Sequence, residues 1–324
     1  MQSFFNSPLS IGTLNLAHRL IQGPLAGFSC APFRTLFAQF RPPAYCVSEM
    51  ISAHDVIHKH SLHSRYLHRA VNEKQLCYQI AGTNPVIMAQ AATRLEAIGA
   101  NLIDINCGCP KTKIRKKGAG SALLEKPEEL LAIVSAVRQA IKIPLTVKLR
   151  ILGNESDFKL AKSLEEAGAD ALIIHGRRWT EDYDQANNWE QIAQIKQQIT
   201  IPVIANGDIS EYQSLQEALN QTRCDAFMIS RAGTGKPWLY QNLLNQETIQ
   251  ISANESIGLF CQHLQGLAQL ENEYKALLQS KSLVRYYFRN QLDANQLQAF
   301  YRLDKLAQVE SWLRSFLTKL DDSA

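Results

Sequence analysis

Three observations predict a (β/α)8 TIM barrel: eight short apolar runs recurring roughly every 30 residues, helical segments between them, and polar residues collected at one end of each run. The runs are Leu20–Gly23, Tyr45–Glu49, Leu76–Ala81, Leu102–Asn106, Leu145–Leu149, Ala171–His175, Val203–Asn206 and Ala226–Ser230. Several are apolar throughout, as parallel strands buried on both faces must be. Pro127–Ala140 and Leu160–Ala167 read as crossover helices, the second closed by Gly168. A doubly wound open sheet is the competing architecture. It calls for G-x-G-x-x-G after the first strand, where Gly23-Pro24-Leu25-Ala26-Gly27 stands instead.

Near Gln246 the strand pattern stops, which divides the chain into a barrel (residues 1–245) and a smaller all-helical C-terminal unit (residues 246–324). Phe260, Leu264 and Leu267, then Leu306, Val309, Leu313, Phe316 and Leu320, recur at helical spacing and predict three or four helices. No low-complexity linker intervenes, so the two parts are expected to pack directly.

The 324 residues suffice for one large core and a lesser one. Apolar stretches such as Ala171–Ile174 fall far short of the roughly 18 residues a membrane span needs. Met1–Ser10 has neither the basic nor the apolar region of a signal peptide. Seven cysteines without export signals read as free thiols in a reducing cytoplasm. Cys107 and Cys109 have no second pair to complete a zinc site. His54 and His58 are spaced to share a metal but lack an H-E-x-x-H context, so no metal is expected. The net charge of +4 matters less than where it sits.

In a barrel the working groups occupy the C-terminal ends of the strands and the loops that follow. Glycine and Arg231 in Asn206-Gly207-Asp208-Ile209-Ser210 and Ser230-Arg231-Ala232-Gly233 suit a phosphate. Lys148, mid-strand between Val147 and Leu149, calls for an anion: Glu49 or Asp104 as a structural partner, or an electron-rich cofactor ring. Cys109, just before Pro110, is a candidate nucleophile or proton donor, with Cys107 as its competitor. Lys111, Lys113, Arg115, Lys116 and Lys117 follow with no acid between Cys107 and Leu124, a strip suited to phosphates. In the helical part Lys281, Arg285 and Arg289 fall at i, i+4, i+8 on one predicted helix face, either solvated or facing RNA. Trp179, Tyr183, Tyr286 and Tyr287 are candidates for base stacking.

These stretches resemble the tRNA-dihydrouridine synthase family. The similarity runs through Gly23–Gly27 with Pro32-Phe33-Arg34, Ser48-Glu49-Met50, Gln79–Gly82, Asp104–Pro110, Gly118–Leu124, Val147–Arg150, Ile174–Arg177 and Ile204–Ile209. The resemblance implies an FMN-dependent enzyme, reduced by NADPH, that converts a uridine of tRNA to 5,6-dihydrouridine. On that analogy Pro24, Leu25, Ala26 and Gln79 line the flavin, with Lys148 and His175 at its edge. Asn206, Gly207, Asp208, Ser230 and Arg231 hold its phosphate, although the family pattern has glycine where Ser230 stands. Cys109 is the implied general acid, and Asn106 the uracil contact. The basic strip, Arg177, Arg178, Lys281, Arg285 and Arg289 are expected to meet tRNA. A monomer is expected, since tRNA needs a wide free face. A dihydroorotate dehydrogenase-like barrel leaves the basic strip and helical unit unexplained. A non-catalytic RNA-binding barrel calls for a protein without flavin.

Overall fold

A computed structural model describes residues 4–321, with side chains through residue 315. Phe316 and Leu320 of the last apolar face lie outside the described side chains. Eight parallel strands form the barrel: β1 (Leu20–Gln22), β2 (Cys46–Val47), β3 (Leu76–Ala81), β4 (Leu102–Cys107), β5 (Leu145–Arg150), β6 (Ala171–His175), β7 (Val203–Asn206) and β8 (Ala226–Ile229). Phe227 of β8 pairs with Leu20 of β1, and Cys46 of β2 with Leu76 of β3, so the sheet closes. An antiparallel hairpin (Leu9–Ile11 with Leu14–Leu16) precedes the barrel and was not foreseen. Its Ile11 and Leu16 plug the bottom, packing with Ile21, Leu102 and Ile204.

β2 is shorter than its apolar run predicts. The Ser48 N–H still donates to the Cys77 carbonyl (2.8 Å), but its hydroxyl accepts from the Gln79 N–H (3.1 Å) and the Glu49 carboxylate from the Gly27 N–H (2.7 Å), and pairing with β3 resumes only at Ile51–Ser52.

Strand alternation sorts the side chains. Leu102, Ala171, Ile173, Ile204, Ala226 and Met228 pack together in the barrel interior. Ile103, Ile105, Cys107, Leu145, Val147, Leu172 and Ile174, one residue out of step, pack against the surrounding helices. Asp104, Asn106, Thr146, Lys148, Arg150, His175 and Asn206 share the inward parity of the first group. The outer ring includes α3 (Pro85–Ala97), α5 (Pro127–Ala140), α6 (Ser156–Glu166), α7 (Trp189–Gln198) and α8 (Tyr212–Thr222); the short helices α1 (Ala31–Thr35), α2 (Ala53–His58) and α4 (Thr112–Arg115) sit in the loops.

After α9 (Leu239–Asn245), four helices build a second core: α10 (Ala253–Leu270), α11 (Glu273–Tyr287), α12 (Ala294–Tyr301) and α13 (Ala307–Asp321). Ser252 and Glu255 cap α10 reciprocally, as do Asp293 and Gln296 for α12. Cys30 and Leu36 of the barrel's first loop are buried in this helical core, so the two parts pack without a spacer. Gly266 of α10 sits so close to Pro32 that a Cβ there would come within 2.9 Å of its ring. Arg65 fastens the junction. It pairs with Glu49 (2.6 Å) and Glu271 (2.6 Å) and donates to the Gln279 side chain (2.8 Å) and the Gly27 carbonyl (2.8 Å).

Burial pulls three histidines down: His18 to about 4, His263 to about 3 and His175 to about 2. An unfolded histidine near 6.5 binds a proton that each native site refuses, so this stability is present above pH 6.5 and is lost on acidification. Asp104, raised by burial to about 6, works in the opposite sense, one group against three. The unfolding free energy is therefore expected to fall between pH 7 and pH 5, by up to about 1.4 kcal/mol per pH unit for each histidine, and the urea midpoint with it. A midpoint that is flat or rising across that window would contradict the assignment.

Candidate functional site

The C-terminal mouth of the barrel opens into a cavity of about 870 Å³. Its apolar walls are Pro24, Leu25 and Ala26 after β1, with Met228 and Ile229 on β8. Its polar lining comes from Gln79, Asn106, Lys148, Arg150, His175 and Asn206, the last inward-facing positions of β3 to β7. In register, Asn106 stands opposite Lys148, and His175 is opposite both Arg150 and Asn206, while Gln79 pairs one step deeper with Asp104.

Beneath the cavity lies Asp104, with no exposed surface. Its carboxylate accepts from Gln79 Nε2 (2.7 Å) and Thr146 Oγ1 (2.7 Å). Gln79 Oε1 then accepts from Asn106 Nδ2 (2.8 Å), and Asn106 Oδ1 accepts from the Cys109 N–H (3.0 Å). Four residues thus connect a buried charge to the backbone of the cysteine loop. Burial raises Asp104 while the Gln79 and Thr146 bonds and the Lys148 charge hold it down. Burial lowers Lys148 to about 8, opposed by the charge of Asp104, which acts on it through space. Lys148 Nζ donates to Asn206 Oδ1 (2.8 Å), whose amide donates to the Met228 carbonyl (2.8 Å). Glu49, the other anion considered for Lys148, is taken by Arg65.

Cys109 is partly exposed and lines the cavity. Cys107 is fully buried outside the barrel wall, its thiol driven well above the usual range by burial. His175 is held neutral by burial and by the cations Lys148, Arg150, Arg177 and Arg231. Gly207, Asp208, Ser230 and Arg231 also line the cavity. Gly207 has φ +129°, and a Cβ there would meet Asn187 at 2.4 Å, so only glycine fits. Arg231 stacks on the Tyr183 ring at 3.8 Å. One hollow thus offers apolar walls, a lysine ammonium, a glycine turn and an arginine guanidinium. That is a donor set for a planar heterocycle carrying a phosphate.

Several expected contacts are placed differently. The Asp208 carboxylate turns away to a two-bond pair with Arg177 (2.8 and 2.7 Å). Arg177 is buried by that pair and by the Gln185 carbonyl, so it shapes the loop instead of meeting substrate. Arg178 is exposed outside the cavity and paired with Glu181. Of the basic strip only Lys111 lines the cavity; Lys113, Lys116 and Lys117 are exposed beyond it. Arg115 is engaged by Glu125 and by the Trp179 ring, 3.5 Å from its guanidinium. The i, i+4, i+8 stripe breaks because α11 ends at Tyr287: Arg289 lies past the helix and lines the main cavity, while Lys281 and Arg285 border a neighbouring recess. Tyr287 is buried in the helical core and cannot stack on a base. Tyr183, one of the expected stacking rings, lines the cavity, as do Arg150 and Phe28, which were not singled out as binding groups. For Arg150 the signal was there, in its two-residue step from Lys148. Among the described residues no cluster of three or more histidines, cysteines or carboxylates could hold a metal, and no helix is long and apolar enough to cross a membrane.

Comparison with known proteins shows the family. The family model for dihydrouridine synthase (Dus) matches residues 21–319. A probable tRNA-dihydrouridine synthase 1 of Synechocystis is 34% identical over 87% of this chain and 81% of its own length. tRNA-dihydrouridine synthase B of Vibrio vulnificus is 33% identical over 93% of this chain and 96% of its own. Among solved structures, morphinone reductase in complex with tetrahydroNAD aligns with a TM-score of 0.53 at 13% identity, over 76% of this chain and 92% of that one. A variant of NCR from Zymomonas mobilis gives 0.55 at 14%, over 79% and 95%. Both share the barrel. With a model spanning nearly all of the chain and relatives aligned along most of their length, this protein belongs to the dihydrouridine synthase family.

Proposed function

We propose that this chain is a cytoplasmic, monomeric tRNA-dihydrouridine synthase that uses FMN and NADPH to reduce one uridine of tRNA to 5,6-dihydrouridine. The observation that carries the reading is that Cys109, Lys148 and Arg231 line one cavity. FMN fits the donor set: apolar walls for the ring, Lys148 for its electron-rich edge, and the Gly207 turn with Arg231 for its phosphate. When bound and reduced by NADPH, the flavin supplies a hydride equivalent to C6 of the uracil.

The chain's own residues do the rest. Asn106, fixed by Gln79, is placed to orient the uracil by hydrogen bonding. Cys109 gives its thiol proton to C5, so hydride and proton together add the two hydrogens of the product. The thiolate left behind lies within the electrostatic reach of Lys148 and Arg150, which stabilise it. His175, neutral throughout the working range, offers a hydrogen bond without adding charge. Lys111, Lys113, Lys116 and Lys117 attract the tRNA backbone, and residues 246–324 form the unit that orients the tRNA over the mouth.

The test is incubation of the purified protein with NADPH and unmodified tRNA, followed by mass mapping of the product. A two-hydrogen mass gain at one uridine is expected, and its absence in a flavin-loaded preparation would refute the assignment. Cys109→Ala is expected to keep flavin absorbance and to lose roughly 10²–10⁴-fold in turnover. Full activity would move the acid role elsewhere. Neutralising Lys111, Lys113, Lys116 and Lys117 is expected to weaken tRNA binding and to flatten its dependence on log salt by roughly 0.7–0.9 per lost contact. An unchanged slope would remove the strip from the interface.

A further inference from the structure

We propose that a second recess beside the catalytic mouth binds a nucleotide flanking the target uridine, with its base on aromatic rings and its phosphate on Lys281 and Arg285. This inference rests on the tRNA reading above. The recess, about 530 Å³, lies against α11 and is bounded by Phe28, Lys281, Ser282, Arg285, Tyr286 and Tyr301. Three rings and two cations make a lining suited to single-stranded nucleic acid, in which every base has a face to stack and every linkage a charge.

Phe28 and Tyr286 line both this recess and the main cavity. Their rings meet edge to face, with centroids 5.6 Å apart and planes at 70°. The partition between the two hollows is therefore one side chain thick. That suits neighbouring nucleotides of one strand, once the target base has been turned out of its stack.

The cations are available. Among the described residues neither Lys281 nor Arg285 forms a salt bridge, and both lie on one face of α11, a turn apart. Arg285 Nε donates to the Tyr301 hydroxyl, and the guanidinium stands 5.4 Å from that ring's centroid. The bond fixes the plane of the fork beside the stacking surface. Arg289, past the helix end, carries the positive charge on to the main cavity. Stacking reads no base identity, so the recess would fix the register of the strand whatever base enters it.

Binding of tRNA transcripts tests this directly, with flavin absorbance as the check on folding. Tyr301→Leu is expected to weaken intact tRNA about tenfold. That penalty is expected to vanish on a transcript made abasic at one of the nucleotides adjoining the target uridine. Lys281→Ala with Arg285→Ala is expected to weaken binding and to reduce the salt slope by roughly 0.7 per phosphate contact. Wild-type affinity in the double variant, or an equal Tyr301→Leu penalty on intact and abasic transcripts at each adjoining position, would overturn the proposal. Failure of the unaltered chain to form dihydrouridine would instead refute the parent reading, which this binding assay does not measure.

Discussion

The buried carboxylate of Asp104 is the constraint on which the site depends. A charge with no exposed surface is costly unless hydrogen bonds and an opposite charge surround it, and breaking such an arrangement costs about 3–5 kcal/mol. A carboxylate only accepts, so Gln79 must present its NH₂ to Asp104. The Gln79 oxygen then faces Asn106, whose NH₂ fills it, and the Asn106 oxygen faces the amides of the cysteine loop. Each amide has one orientation left to it. The same carboxylate helps keep Lys148 charged near neutral pH where it lines the cavity. One group thereby sets both the posture of the Cys109 loop and the charge environment of Lys148.

Much of this was legible because strand parity carries it. Apolar runs at barrel spacing located all eight strands, and the rule that function sits at strand ends turned them into a list of site residues. Parity also settles what spacing left open between the two cysteines. With Asp104 and Asn106 pointing inward, Cys107 must face the helices, and only Cys109, past the strand end, can reach the cavity. Lys148 had two acidic partners in prospect. Asp104 is inward-facing on the neighbouring strand, while Glu49 is claimed by Arg65 from a distant loop.

What was not legible depends on loops. Arg177 looked like a substrate contact, but its fork matches the Asp208 carboxylate, a pairing across 31 residues that no local pattern announces. Arg115 is drawn aside by Glu125 and Trp179 for the same reason. The cationic stripe on α11 assumed a helix running through residue 289. The helix ends at Tyr287, Phe288 leaves the helical conformation, and Arg289 beyond it lines the main cavity. The N-terminal hairpin escaped because its strands are three residues long, too short for alternation to register.

The junction between barrel and helices gives the mouth its outer wall. Arg65 ties two rim loops to α11 and to the end of α10, while Cys30 and Leu36 are sunk in the helical core. Phe28 of the barrel and Tyr286 of α11 meet edge to face where they line the cavity. The central claim is that the Asp104 chain positions Cys109. Single-turnover reduction of tRNA by pre-reduced Asp104→Asn protein measures it most directly, since the charge is lost and an amide at residue 104 can present either its oxygen or its NH₂ to Gln79, which then no longer has one enforced orientation. The expected result is a rate lowered roughly 10²-fold with flavin still bound; a rate equal to that of the unaltered protein would contradict it.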